Sequence, residues 1–243
     1  MVTYNPGKKN RVWMNGLRMS RYIDSLDLQR QADALEVTVL ENDDKNFIAG
    51  LRYDAVTFTG IFDGSSDKPS EQVAKVLGSS SLQVWTQTPE GDAVGKLAQM
   101  WQANETQVDI QTPANGRIAL NGACMPTKAV KAGKVHIQGT VALTSTGAQT
   151  SIDNAVATAA GGRAHFHLTN ICTGLTGFTA KIQHSSNNSA WGDLLTFSQT
   201  STGGATSTAS GTIKRYTRGI VTAFTVSGAA KTVNCLASFG RSS

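Results

Sequence analysis

Cysteine is scarce and badly spaced. Cys124, Cys172 and Cys235 are three in 243 residues, an odd number without metal-ligand spacing. That argues against a disulfide framework and a zinc site, and the three are expected as small buried hydrophobes. Long apolar runs are also lacking, since no segment approaches the roughly 18 consecutive apolar residues of a membrane helix. Residues 1–10 are polar and have no apolar signal-peptide core. Synthesis inside a cell without membrane insertion is the expectation. Acids are nearly missing from the C-terminal part: residues 144–243 hold 7 Lys+Arg and 2 Asp+Glu, whereas residues 1–143 hold 15 of each. The net charge of +5 therefore belongs to residues 144–243, and without clustering of its cations it reads as a solvated surface rather than a nucleic-acid footprint.

Catalytic patterns are missing as well. There is no Gly-x-Ser-x-Gly elbow with a His and an acid in a triad order, no Walker loop and no dinucleotide fingerprint. Asp43 and Asp44 lack the calcium-loop spacing with its terminal Glu. Asp24 and Asp27 are too generic to form an acid–base pair without a cleft. His165 and His167, two apart on one expected strand, face one side, but no acid or further His lies nearby in sequence. Surface or half-buried histidines are the expectation there. No catalytic residue, metal site or cofactor is assigned, and an enzyme is not expected.

What the chain does have is strand chemistry. Its 24 glycines, with many Thr, Ser and Ala among short apolar runs, imply an all-β chain rich in turns. Leu35, Val37 and Val39 alternate with Glu36, Thr38 and Leu40, the period of a strand with one face covered. A charged run follows (Glu41, Asn42, Asp43, Asp44, Lys45, Asn46), closed by Phe47-Ile48-Ala49-Gly50. A β-branched and aromatic strand then runs from Leu51 to Asp63. The 41–50 connection is too long and charged for a tight hairpin turn. It is either a solvated tip or an arm that docks on another subunit.

One helix is expected after Asp63. Ser66 or Asp67 can cap it, Pro69 suits its first turn, Val73, Val76 and Leu77 form its apolar stripe, and Gly78 stops it. Residues 11–19 read as a strand. Residues 94–103 are ambiguous, with Leu97, Met100 and Trp101 at helical spacing but Gly95 against a helix, and are assigned as strand. Residues 144–162, with Asp153 as their only charge, form a connector. Regular short strands follow at 164–171, 178–185, 194–199, 206–212, 216–226 and 232–239, the spacing of a β-sandwich. Phe166, Leu168, Ile182, Trp191, Phe197, Tyr216, Phe224 and Phe239 are its expected core.

Together, the Leu35-Glu36-Val37-Thr38 strand, the charged loop ending in Phe47-Ile48-Ala49-Gly50-Leu51, and the strand Val56-Thr57-Phe58-Thr59-Gly60-Ile61-Phe62-Asp63 resemble the tail tube (major tail) proteins of long-tailed phages. The Ser20-Arg21-Tyr22-Ile23 segment and the helix after the strands add to the likeness. The stretch from Gln183 to Leu194 around Trp191, with Arg215-Tyr216-Thr217-Arg218, resembles Ig-like accessory domains of phage tail proteins. The resemblance implies an all-β chain with one short helix: a tail-tube β-sandwich/barrel domain over residues 1–150, then a second β-sandwich domain over residues 151–243 on the tube exterior.

It also implies a structural virion protein that polymerises as stacked hexameric rings into a tail tube, the conduit for DNA ejection. The virion tail, assembled in the host cytoplasm, is its expected location. Its partners are then other copies of itself, tape measure protein and viral DNA in the lumen, and other tail proteins at the tube ends. Contacts between subunits fall to the loop residues Glu41 to Asn46 and to an N-terminal arm with Tyr4, Asn5 and Lys8. Glu36, Thr38, Asp54 and Thr57 are lumen candidates. A glycan- or cell-surface-binding β-sandwich remains the alternative, with Trp191, Tyr216 and Arg218 as exterior contacts, although core packing is the commoner role for a residue like Trp191. Another virion ring or decoration protein is the third reading.

Overall fold

The computed structural model describes residues 7–39, 44–65, 68–140, 142–227 and 232–242. In chain order the elements are β1 (Arg11–Met14), β2 (Leu17–Arg18), β3 (Ile23–Glu36), β4 (Phe47–Ile61), α1 (Pro69–Val76), β5 (Gln83–Thr88), β6 (Leu97–Gln111), β7 (Ala119–Pro126) and β8 (Lys131–Ile137). There follow β9 (Gly147–Ala148), β10 (Ile152–Asp153), β11 (Gly162–Asn170), β12 (Leu175–Ser185), β13 (Gly192–Gln199), β14 (Gly203–Ala209), β15 (Tyr216–Val226) and β16 (Asn234–Arg241). The chain is all-β with one short helix, as its composition implies. The strand assigned to residues 94–103 is the start of β6, and all six strands expected after residue 162 are present.

The compact units do not divide at residue 150. One comprises Met1–Arg21, Gln83–Trp101 and Lys131–Ser243; the other comprises Tyr22–Leu82 and Gln102–Val130. The reason is strand pairing. β16, near the C-terminus, bonds to β8 on one side and β11 on the other, so strands from both halves of the sequence share one sheet.

The first unit is a sandwich. One sheet runs β14-β11-β16-β8-β6-β5-β1-β2 and the other β10-β15-β12-β13, with β9 beside β15. Its core joins Phe166, Ala237 and Phe239 of the first sheet to Phe178, Ile182, Phe197, Val221 and Phe224 of the second. The Phe166 ring stacks on Phe197 at 5.2 Å between centroids. Trp191 and Tyr216, expected in this core, are only half-buried. Residues 11–19 are a hairpin rather than one strand, because Asn15 and Gly16 both take positive φ (46° and 84°), the two-residue turn that suits twisted strands. A Cβ on Gly16 would lie 2.4 Å from the Leu168 carbonyl oxygen, so only glycine fits.

Three of the four histidines are core residues. His136, His165 and His167 are buried, which for His165 and His167 corrects the expectation of surface or half-buried positions. His165 Nδ1 donates to the Trp85 carbonyl at 2.9 Å, and His167 Nε2 lies 2.9 Å from Thr86 Oγ1 while its Nδ1 accepts the Gly16 N–H at 3.3 Å. His136 Nδ1 donates to the Lys134 carbonyl and its Nε2 accepts from the Thr217 hydroxyl, both at 2.9 Å. Desolvation pushes His136 down to about 4 and His165 to about 3, and lowers His167 well below the ordinary value. All three are neutral structural imidazoles. Among the described residues no group of three or more His, Cys, Asp or Glu is placed to hold a metal.

The second unit is an antiparallel sheet in the order β3-β4-β7-β6, with α1 beside it. α1 has Lys68 at its N-cap and Pro69 in its first turn; the expected caps Ser66 and Asp67 lie outside the described residues. Its end is tied to β6, where Gly78 N–H donates to the Glu105 carbonyl at 3.4 Å. Val73 of α1 is buried, as are Val56 and Phe58 of β4 and Leu120 and Cys124 of β7. No helix among the described residues is long and apolar enough to cross a membrane.

Candidate assembly site

β3 and β4 are 14 and 15 residues long and pair along most of their length, from Ile23↔Gly60 to Glu36↔Phe47. β7 meets β4 only from Val56 to Ile61. Beyond Ala55, therefore, the two-stranded ladder leaves the sheet. A register shift between Ala32 and Ala34 marks an irregularity within this outer part. A bulge of this kind bends and twists a ribbon, and re-aims the side chains past it.

The outer arm exposes what water does not favour. Leu35, Val37, Phe47 and Ile48 are exposed, Val39 is 61% exposed, and Leu51 is 81% exposed. The alternation of Leu35, Val37 and Val39 led to the expectation of a covered face. Among the described residues no third strand pairs with that part of the ladder, and these side chains stand exposed. The tip carries charge: Lys45 Nζ lies 3.1 Å from Glu36 Oε2, Thr38 Oγ1 accepts the Asn46 N–H at 3.1 Å, and Asp44 is exposed. Glu41, Asn42, Asp43, Tyr4 and Asn5, also expected at contacts between subunits, lie outside the described residues. Lys8 sits in an exposed single turn, where its carbonyl accepts from Arg11 at 2.7 Å.

The four lumen candidates do not share a face. Residues 54, 56, 58 and 60 of β4 alternate as buried, while Thr57 and Thr59 are exposed. Asp54 is 8% exposed, pairs with Arg30 at 3.5 Å and accepts the Val130 N–H at 2.8 Å. It is a structural group of the buried side, which removes it as a surface candidate. Thr57 lies on the opposite face, and Glu36 and Thr38 belong to the arm. Period-two alternation splits positions 54 and 57 because their separation is odd.

The Thr57 face is mostly polar where β3, β4, β7 and β6 pair, with Ala123 and the exposed Ile61 as apolar members. The register sets Asp27 beside Thr57 and Ser25 beside Thr59 on β3 and β4, then Ala123 and Asn121 on β7, then Gln107 and Asp109 on β6. Along β3 a side-chain ladder runs over this face: Gln29 Nε2 donates to Asp27 at 2.9 Å, Gln31 Nε2 to Gln29 at 3.3 Å, and the Tyr53 hydroxyl to Gln31. Gln111 donates to Asp109 at 2.9 Å. Apart from Ala123, these paired positions carry hydroxyls, amides and carboxylates, with no Lys or Arg among them.

The other side of the arm's root is a notch of about 420 Å³ lined by Arg30, Arg52, Asp54, Met125 and Lys128. Asp54 neutralises Arg30. Arg52 and Lys128 are exposed, and among the described residues no carboxylate forms a salt bridge with either.

The candidates for exterior contact come together in part. The Arg218 guanidinium lies 4.1 Å from the centre of the Trp191 ring, and both its Nε and Nη2 donate to Gln183 Oε1, at 3.0 and 2.9 Å. Gln183 donates in turn to Asp193 at 2.8 Å, and Lys181 does so at 2.6 Å. These two bonds hold the Asp193 carboxyl below its usual range. Tyr216 is covered by Arg215 at 4.9 Å. Arg215 grips Asp153 with two bonds and holds that carboxyl down at about 2. Each ring thus already has a guanidinium over it, a contact that sequence spacing alone did not show.

No family model and no curated protein matches the sequence. Solved structures do. A chain of the virion of a native gene transfer agent particle is similar at 14% identity and a TM-score of 0.44, over 52% of this chain and 97% of that one. A chain from the tail of an empty gene transfer agent particle, solved with six-fold symmetry, is similar at 15% identity and 0.38, over 45% and 80%. The Dit protein of SPP1, described as a paradigm of the hub adsorption apparatus in phages infecting Gram-positive hosts, is similar at 11% identity and 0.37, over 96% and 99%.

Proposed function

We propose that this chain is a structural protein of a phage tail. It assembles with copies of itself into six-membered rings that stack into a tube, the conduit for DNA and tape measure protein. The observation that carries this reading is the arm. A long ladder with Leu35, Val37, Phe47, Ile48 and Leu51 in water is an aggregation liability unless another chain covers it. A second copy is the simplest cover in a protein that must repeat itself.

The Thr57 face suits the lumen. Hydroxyls, amides and the carboxylates of Asp27 and Asp109, without cations, form no ion pairs with phosphates. Passing DNA therefore releases no counterions and is not retained. Asp54 is withdrawn from that role.

Negative-stain electron microscopy and sedimentation of the purified chain, across concentration and salt, test the proposal. Rings or hollow tubes are the expected products. A protein that stays monomeric at every concentration and in every salt, and that binds a glycan array, overturns it in favour of an adhesion module.

A further inference from the structure

We infer that the face of β12, β13 and β15 turned away from the sandwich core binds a neutral saccharide, through the Trp191 ring and the side-chain row Arg218, Gln183 and Asp193. The assembly reading assigns no role to this face, so the two stand or fall separately. Strand pairing sets the row. Gln183 of β12 pairs with Arg218 of β15 on one side and with Asp193 of β13 on the other. A register shift between Ile182 and Gln183 precedes it, and a bulge of this kind re-aims the side chains past it. Arg218 donates twice to Gln183, Gln183 donates to one Asp193 oxygen, and Lys181 donates to the other. These side chains are exposed or half-buried, where such contacts add little to stability and ordering them costs rotamer entropy. A network of this kind contributes little to the fold. It is what a binding surface needs in place before its ligand arrives.

The groups presented match the chemistry of a sugar, which has C–H groups on its ring faces and hydroxyls around its rim. Arg218 lies 4.1 Å from the centre of the Trp191 ring and fixes it. The indole is only half-buried, and its remaining apolar surface receives the C–H face. Asp193 is 46% exposed, and each of its oxygens accepts one hydrogen bond within the chain. A carboxylate has about four acceptor positions, so the others are open to two adjacent hydroxyls. Asn188 and Ser189, exposed in the loop between β12 and β13, add an amide and a hydroxyl. Asn187 Oδ1 holds that loop by accepting the Ser189 and Ala190 N–H groups at 3.1 and 3.0 Å. The Asp193 charge selects against an anionic sugar at the same place.

An array of neutral and acidic oligosaccharides, probed with the full-length chain and followed by titration of those that bind, tests this. Neutral oligosaccharides are expected to bind and to shift the emission of Trp191, since Trp13, Trp85 and Trp101 are fully buried. Trp191→Ala and Asp193→Asn are each expected to weaken binding at least tenfold, whereas Trp191→Phe keeps most of it. Circular dichroism and thermal melts verify that the three variants are folded. Binding of acidic oligosaccharides alone, binding that survives Trp191→Ala and Asp193→Asn, or an array with nothing bound overturns the inference while the assembly reading stands. Rings or tubes that also bind neutral oligosaccharides through Trp191 bear out both.

Discussion

Arg30 and Asp54 are partners across the β3–β4 ladder, and both bind the backbone of Val130. The Asp54 carboxylate accepts its N–H at 2.8 Å, and Arg30 Nη2 donates to its carbonyl at 3.2 Å. One ion pair thus fastens the chain as it leaves β7. Asp54→Ala is expected to cost about 1–3 kcal/mol, the penalty of an unsatisfied buried donor. Thr57→Ala on the opposite face is expected to stay within about 0.5 kcal/mol. Urea titration of both variants checks the contrast, and equal effects refute it.

The buried imidazoles predict an acid-sensitive fold. His136, His165 and His167 are depressed below the ordinary value of 6.5. Below pH 6.5 the unfolded chain takes up protons that the folded chain refuses. Their contribution to stability is therefore whole above 6.5 and declines as pH falls, until His136 protonates near 4 and His165 near 3. Each contributes at most about 1.4 kcal/mol per pH unit. Urea midpoints at pH 7.5, 6 and 5 should fall steadily, and His136→Gln should reduce the slope. A flat profile would show that these histidines do not govern acid stability.

Gly122 lies beneath the Phe58 ring, its partner across β4 and β7, and a Cβ there would come 2.2 Å from Phe58 Cζ. Gly122→Ala is expected to destabilise by about 1–3 kcal/mol through overpacking. The double variant with Phe58→Leu should recover part of the loss, since residues in contact do not behave additively. Denaturation of the four chains of this cycle measures the coupling.

On the arm, Phe47→Gln and Leu51→Gln replace exposed apolar surface. Stability should change by no more than about 0.5 kcal/mol, while self-association weakens at least tenfold by sedimentation velocity. A large stability loss with intact association would reassign these residues to the fold.

Arg218→Ala uncovers Trp191. Because Trp13, Trp85 and Trp101 are fully buried, the variant's emission should shift to the red through Trp191 alone. The lost cation–π contact should cost about 0.5–1 kcal/mol. Fluorescence and urea titration read both effects.

The strands of the sandwich were legible because alternation and turn spacing are local: β15 begins and ends at Tyr216 and Val226, as its residues imply. The helix was legible from Pro69 and the Val73 stripe. The Asn15-Gly16 turn carries its own signal, an Asn-Gly dipeptide between apolar residues, which divides residues 11–19 into a hairpin.

Burial was less legible, because period two tells which residues share a face but not whether anything lies against it. Leu35 and Val37 alternate as Val56 and Phe58 do in their strand, yet β7 pairs only with the Val56–Ile61 part of β4. Asp54 reads as a polar surface residue until Arg30 and the Val130 N–H are brought to it from 24 residues before and 76 after. His165 and His167 read as surface histidines until Trp85 and Thr86 pair beside them.

By itself, then, the sequence determined the all-β class, most strand positions and the single helix, all of which depend on near neighbours in the chain. Only the tertiary structure decided the two units, the neutral buried histidines, the split between Asp54 and Thr57, and the cationic notch beside the arm. Those features arise from pairings across tens of residues, such as β16 with β8. Strand pairing is set by which apolar faces close on one another, and local propensity does not contain that information.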